Sequence, residues 1–181
     1  TQLAKKIGVD ISFVLNKFQE DLKKSQFMCG HNLNFDEKIL GAEYLRSDGN
    51  NPLQDFPKID TCTEETAGIC MLKGGRGRKF KLPTLMELYT HLFNKKFESA
   101  HNASADVEAT ALCLFKLLKD QKIHPNSLST HLDIIEKLTD LDLNKIKVID
   151  IVHINLFEES KLLKENVKPD TIEESNTIKA V

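Results

Sequence analysis

The chain has 181 residues, of which 40% are hydrophobic and 29% charged, the balance of an ordinary folded chain long enough for one domain and an extension. A formal net charge of -2 excludes a protein that coats DNA through bulk charge, although a protein gripping one strand end needs only a local basic patch. No apolar run approaches the length needed to span a bilayer, and the four cysteines, Cys29, Cys62, Cys70 and Cys113, form no Cys-x-x-Cys pair, so free thiols in a reducing cytoplasm are expected.

Residues 1 to 10 are polar with Gly8 as a break, and Asp10 is placed to cap a helix over 11 to 24 whose stripe is Ile11, Val14, Leu15, Phe18 and Leu22. That stripe reads as core. A short apolar strand follows, Phe27-Met28-Cys29, which delivers Gly30-His31-Asn32 at its carboxyl end, where α/β sites collect. The next helix runs to about Arg46 with Phe35, Ile39, Leu40 and Leu45 apolar and Asp36 near its start. In these terms alone Asp36 is a solvated helix acid or a site carboxylate, Asn32 a helix cap or a hydrogen-bonding group for a backbone or sugar oxygen, and His31 structural.

Residues 47 to 57 are rich in turn formers, a short strand is expected around Ile59, and a helix from Thr63 to about Leu72. Lys73-Gly74-Gly75-Arg76-Gly77-Arg78-Lys79-Phe80-Lys81 then places five basic residues and three glycines in nine positions, the strongest local charge feature of the chain. Glycines let a backbone approach a phosphate and the cations neutralise it, so Arg76, Arg78 and Lys79 are candidates for phosphate contact; a solvated loop or a docking surface is the plainer reading. The Gly-Lys-Ser/Thr ending of a nucleotide-binding phosphate loop is missing. Pro83 suits the first turn of a helix carrying Leu85, Leu88, Tyr89 and Leu92, with Asn94 as its stop.

His101 and Asp106 stand five apart at the mouth of another helix, whose apolar positions are read as Val107, Ala111, Leu114, Phe115 and Leu118. An acid at a helix start is usually a cap or a dipole partner. A hard cation such as Mg²⁺ wants carboxylate oxygens, however, and phosphodiester hydrolysis needs a base near neutral pH, so this pair also suits half of a metal-ion nuclease site. Beyond Lys122 the chain breaks at His124-Pro125-Asn126-Ser127 and continues with apolar segments from Leu132 to Leu138 and Ile146 to Ile151 and a polar tail from residue 158; His131 and His153 have no metal-like partners.

Two stretches together, Gly30-His31-Asn32-Leu33-Asn34-Phe35-Asp36 with Leu40, and His101-Asn102-Ala103-Ser104-Ala105-Asp106, resemble the second and third motifs of the DnaQ-like 3′-5′ exonucleases of the DEDDh type. Lys58-Ile59-Asp60-Thr61-Cys62, the glycine-rich basic loop, Phe80-Lys81-Leu82-Pro83-Thr84-Leu85 and Ala100-His101-Asn102-Ala103 are similar to the exonuclease domain that some bacteria carry fused ahead of DNA polymerase III subunit alpha. The resemblance covers about the first two-thirds of the chain. It implies an α/β ribonuclease H-like mixed sheet flanked by helices, an exonuclease domain over 1–122, and over 123–181 a helical extension or linker towards a following domain.

The same resemblance implies removal of nucleotides from a DNA 3′ end by two-metal hydrolysis with Mg²⁺ or Mn²⁺. Asp106 and Asp36 would be the metal-binding carboxylates, and His101 would take the proton from water. Asn32, Phe35, His31, Arg76, Arg78 and Lys79 would contact the substrate, and polymerase domains would be partners. The family's first motif, Asp-x-Glu on the opening strand, has no counterpart, because the only Asp-x-Glu is Asp106-Val107-Glu108 on the helix just described. The expectation is therefore an internal fragment without its opening strands, inactive by itself. A nuclease-fold module that binds DNA or tethers a polymerase without cleaving, and an exoribonuclease, are the alternatives.

Overall fold

A computed structural model describes residues 8–74, 77, 79–97 and 102–124. By internal contacts the chain divides into one unit of Thr1–Val14 with Ile151–Val181 and another of Leu15–Asp150. In the first, Asp10 opens helix α1 (Ile11–Lys24) by accepting the Ser12 N–H at 2.9 Å, and Ile11, expected in the core, is exposed. The expected segments 132–138 and 146–151, His131 and His153 lie outside the described residues.

The described residues form a mixed α/β set of five helices and a small two-stranded parallel sheet. Strands β1 (Met28–Gly30) and β2 (Lys58–Asp60) pair with Cys29 opposite Ile59 and Gly30 opposite Asp60. The pairing is extended at both ends by Met28 N–H to Pro57 O and Thr61 N–H to Gly30 O, each 2.9 Å. Helix α2 (Leu33–Asp48) makes the crossover that parallel strands require. It ends at Gly49, whose φ of 68° allows its N–H to reach Leu45 O at 3.2 Å.

Local capping fixes the other helix ends. Helix α3 (Glu64–Cys70) starts on a reciprocal Thr63–Thr66 box, and α4 (Leu85–Phe93) on a Thr84–Glu87 box that closes against Asn94 in the left-handed region. Pro83 therefore precedes the cap of α4 instead of lying in its first turn. Helix α5 (Ala103–Lys119) starts on Asn102, whose side-chain oxygen accepts the Ser104 and Ala105 N–H groups at 3.0 and 3.4 Å.

Helix α5 is the centre of the core. It packs on α4 and β1, burying Ala109, Cys113, Leu114, Leu117 and Leu118 with Ile59, Leu88, Tyr89 and Ile123. The buried face is rotated from the one expected: Val107 is 58% exposed, while the small residues Ala109 and Cys113 face inward, close enough to let the backbone of α5 approach its neighbours. Tyr89 stacks against Phe93 and Phe97 with centroids 4.6 and 5.2 Å away. Helix α2 buries Leu33 and Tyr44, the latter donating its hydroxyl to Leu15 O at 2.7 Å, yet Phe35, Ile39 and Leu45 on the same helix are exposed.

Candidate functional site

Parallel strands end side by side, so the residues after Gly30 and Asp60 emerge together at one edge of the sheet. The turn between β1 and α2 is closed: a Cβ on Gly30 would lie 2.4 Å from Leu33 Cδ1. Asn32 reverses the chain in the left-handed region, φ 65° and ψ 46°, a conformation that asparagine tolerates better than most residues. Its side chain makes no cap bond. The helix donors are met instead by Asp60 from the neighbouring strand, whose Oδ1 accepts the Asn32 N–H at 2.9 Å and whose Oδ2 accepts the Leu33 N–H at 2.9 Å. Oδ1 also accepts the Cys62 N–H at 2.8 Å, so one carboxylate binds both strand ends.

His31 completes this clasp. Its Nε2 lies 3.0 Å from Pro83 O, a carbonyl that can only accept, so Nε2 carries a proton; Nδ1 lies 2.9 Å from the Thr61 hydroxyl, which also reaches Gly30 O at 3.1 Å. Burial pushes the imidazole pKa below its ordinary value, against the smaller raising effects of the Pro83 carbonyl and the Asp60 charge. Burial thus favours the neutral ring, and both nitrogens are bonded inside the protein. Thr61 is itself fully buried, with its carbonyl accepting from the Thr66 hydroxyl at 2.9 Å. A half-buried ion pair, Lys58 Nζ to Glu37 Oε1 at 2.6 Å, ties β2 to α2 a turn further on.

From this clasp the candidate site residues project. Asp36 is exposed in the first turn of α2 and Phe35 beside it is 60% exposed. Asn32 is exposed and lines, with His31, Cys62, Pro83 and Thr84, a cavity of about 440 Å³. Asp106 is half-buried in the first turn of α5, the helix that packs on β1. Because Asn102 supplies the cap, Asp106 is not the capping residue of its helix. His101, Arg76 and Arg78 lie outside the described residues.

The two arms of the basic loop pair through a Lys73–Phe80 bridge, with Gly74 N–H to Lys79 O at 3.3 Å and Lys81 N–H to Leu72 O at 3.1 Å. Lys79 is exposed, its ammonium 5.1 Å from the Phe80 ring centroid. Lys81 turns to Glu87 at 2.7 Å. Burial acts to raise the Glu87 pKa, but the hydrogen bonds from Lys81 and Thr84 outweigh it and hold that carboxyl below its ordinary value.

Sequence reasoning did not find two features here. The Asp60 clasp joins residues nearly thirty positions apart and leaves no local pattern. A second cavity of about 410 Å³, lined by Tyr89, Phe97, Lys95, Lys96 and Glu108, lies against α5; its one visible signal was the adjacent lysine pair.

Asp36 and Asp106 are hard oxygen donors of the kind Mg²⁺ or Mn²⁺ takes. Among the described residues no group of three or more His, Cys, Asp or Glu side chains is gathered to hold a metal. The four cysteines are free, and burial pushes the Cys29 and Cys113 thiols up to about 12, which keeps them protonated and poor ligands. No helix among the described residues is long and apolar enough to cross a membrane. What fold and site define together is a mixed α/β chain with Asp36 and Phe35 in the first turn of the helix that follows β1. No family model matches the chain, and no curated protein or solved structure matches it.

Proposed function

We propose that this chain is part of a cytoplasmic 3′-5′ DNA exonuclease of the DnaQ-like type, with a ribonuclease H-like fold, that proofreads for a replicative DNA polymerase III. The observation that supports it most is the placement of the two motif acids. Asp36 lies in the first turn of the helix leaving the carboxyl end of β1, and Asp106 lies in the first turn of the helix packed on β1.

In this reading Asp36 and Asp106 would hold divalent ions, which when bound would supply charge stabilisation to the phosphate and acidify water. His101 takes the proton from the attacking water. Phe35 stacks on the terminal base, Asn32 bonds to a sugar or backbone oxygen, and Lys79 with Arg76 and Arg78 neutralises phosphates upstream. Two carboxylates are fewer than a pair of ions needs, so hydrolysis in this reading requires further acids beside Asp36 and Asp106.

The test is degradation of single-stranded and mismatched DNA by the full natural protein with Mg²⁺ or Mn²⁺, beside its Asp106→Ala and His101→Ala variants. The reading expects each variant to lose roughly 10²–10³-fold of the activity or more while still binding DNA. Full activity in Asp106→Ala would overturn it. The second reading, a nuclease-fold module that binds DNA without cutting, is favoured by the presence of only two of the four carboxylates in the motifs.

A further inference from the structure

We infer that Asp60 is a positioning residue for nucleic-acid binding: through the backbone of Asn32 and Leu33 it sets where Asn32 and Phe35 stand at the strand end. This inference rests on the reading of that strand end as the place where a DNA 3′ terminus binds.

An ordinary helix start uses the side chain of its own first residue to accept the leading N–H groups. At α2 that residue is Asn32, and its side chain takes no part. Asp60 instead reaches across from the position opposite Gly30 and accepts the Asn32 and Leu33 N–H groups, one on each oxygen, at 2.9 Å. Two consequences follow from chemistry alone. The left-handed conformation of Asn32, which costs energy for any residue with a side chain, is held by a charge-assisted bond to its own N–H. The Asn32 carboxamide, relieved of capping, is exposed at the rim of the 440 Å³ cavity and available to a ligand.

Phe35 is carried by the same first turn, since its N–H bonds to Asn32 O at 3.0 Å. It is 60% exposed although it is one of the larger apolar side chains of the chain. An aromatic ring held out beside an uncommitted carboxamide suits a stacked base and a polar sugar or phosphate edge, the two faces of a terminal nucleotide. The third bond of Asp60, from the Cys62 N–H at 2.8 Å, and the His31–Thr61 contact keep the carboxylate and the turn in register.

The test uses Asp60→Asn, which keeps the size of the side chain but replaces one accepting oxygen by an NH₂ that faces an N–H. Affinity for 5′-fluorescein-labelled single-stranded DNA is read by anisotropy without metal, in the wild type, Asp60→Asn, Phe35→Ala and the double variant, with the thermal midpoint of each recorded. Asp60→Asn is expected to weaken binding by about tenfold. In the Phe35→Ala background the same change is expected to cost less than about threefold, because the ring it would place is gone. Asp60→Ala, which leaves three N–H groups unmet, serves only to show how far the midpoint falls when the clasp is lost. An equal loss in both backgrounds, or binding by Asp60→Asn as tight as the wild type, overturns the positioning role and leaves the DNA reading standing. No binding by the folded wild type overturns the DNA reading itself.

Discussion

Helices α2 and α5 are nearly equal in length, both carry an acid in the first turn and both adjoin β1, yet they are held in opposite ways. Helix α5 is fixed along its length by a continuous buried stripe from Ala109 to Leu118. Helix α2 is held at its start by the Asp60 carboxylate, at Glu37 by Lys58 and near its end by the buried Tyr44, while Phe35, Ile39 and Leu45 remain exposed. A helix held by a continuous apolar stripe tolerates little change in its side chains; one held at a few separate points, largely by polar bonds, leaves a face open to solvent. The difference gives α5 the packing of the core and leaves α2 with an exposed face.

The largest effect should come from the packed helix. Leu117 is fully buried, and Leu117→Ala is expected to cost about 2–5 kcal/mol in urea unfolding, because truncation leaves a cavity in a dense core. A loss under about 1 kcal/mol would break the claim that α5 is the core. Next comes the closed turn of α2. The 2.4 Å approach at Gly30 predicts that Gly30→Ala destabilises by about 1–3 kcal/mol, since the buried Leu33 side chain must move. At the start of α5, Asn102→Ala removes the acceptor of two N–H groups and is expected to cost about 1 kcal/mol.

The clasp should also show itself in pH dependence. The folded His31 has a pKa below its ordinary 6.5, so below that value the unfolded chain binds the proton that the folded one resists. Its contribution is complete above pH 6.5 and is lost as the pH falls through the lowered value. The melting midpoint should therefore drop on acidification below that point, and His31→Gln should flatten the drop; an unchanged slope would contradict the assignment of the neutral ring. The smallest effect belongs to the open face of α2: Ile39, 49% exposed, should tolerate Ile39→Ser within about 0.5 kcal/mol.

Much of the fold was legible because its signals are local. Asp10, Thr63 and Asn94 each end or begin a helix through bonds to residues within a few positions and are readable as such, whereas Thr84 and Asn102 cap their helices just as locally but are not among the caps expected from the sequence. The facing of α5 was misjudged, with Val107 assigned inward, because Ala109 and Cys113 are small and carry little apolar signal although they pack most closely. Pro83 was displaced by one cap for a similar reason: the Thr84–Glu87 box determines the start of α4, and the proline carbonyl serves His31 instead. The candidate site divides likewise. Asp36 and Asp106 in isolation are two acids in helix first turns, and only the motif resemblance raises them above that. The Asp60 clasp depends on strand pairing across the α2 crossover, which no local pattern encodes.

The central claim is that the strand end bearing Asp36 serves a DNA 3′-terminus nuclease, and it is tested most directly by following 5′-labelled single-stranded DNA over time with the full natural protein and Mg²⁺. The account predicts a ladder of strands shortened one nucleotide at a time from the 3′ end, abolished by Asp36→Asn together with Asp106→Asn. Intact strands that remain bound to a folded protein would contradict it and establish a module that holds DNA without cutting it.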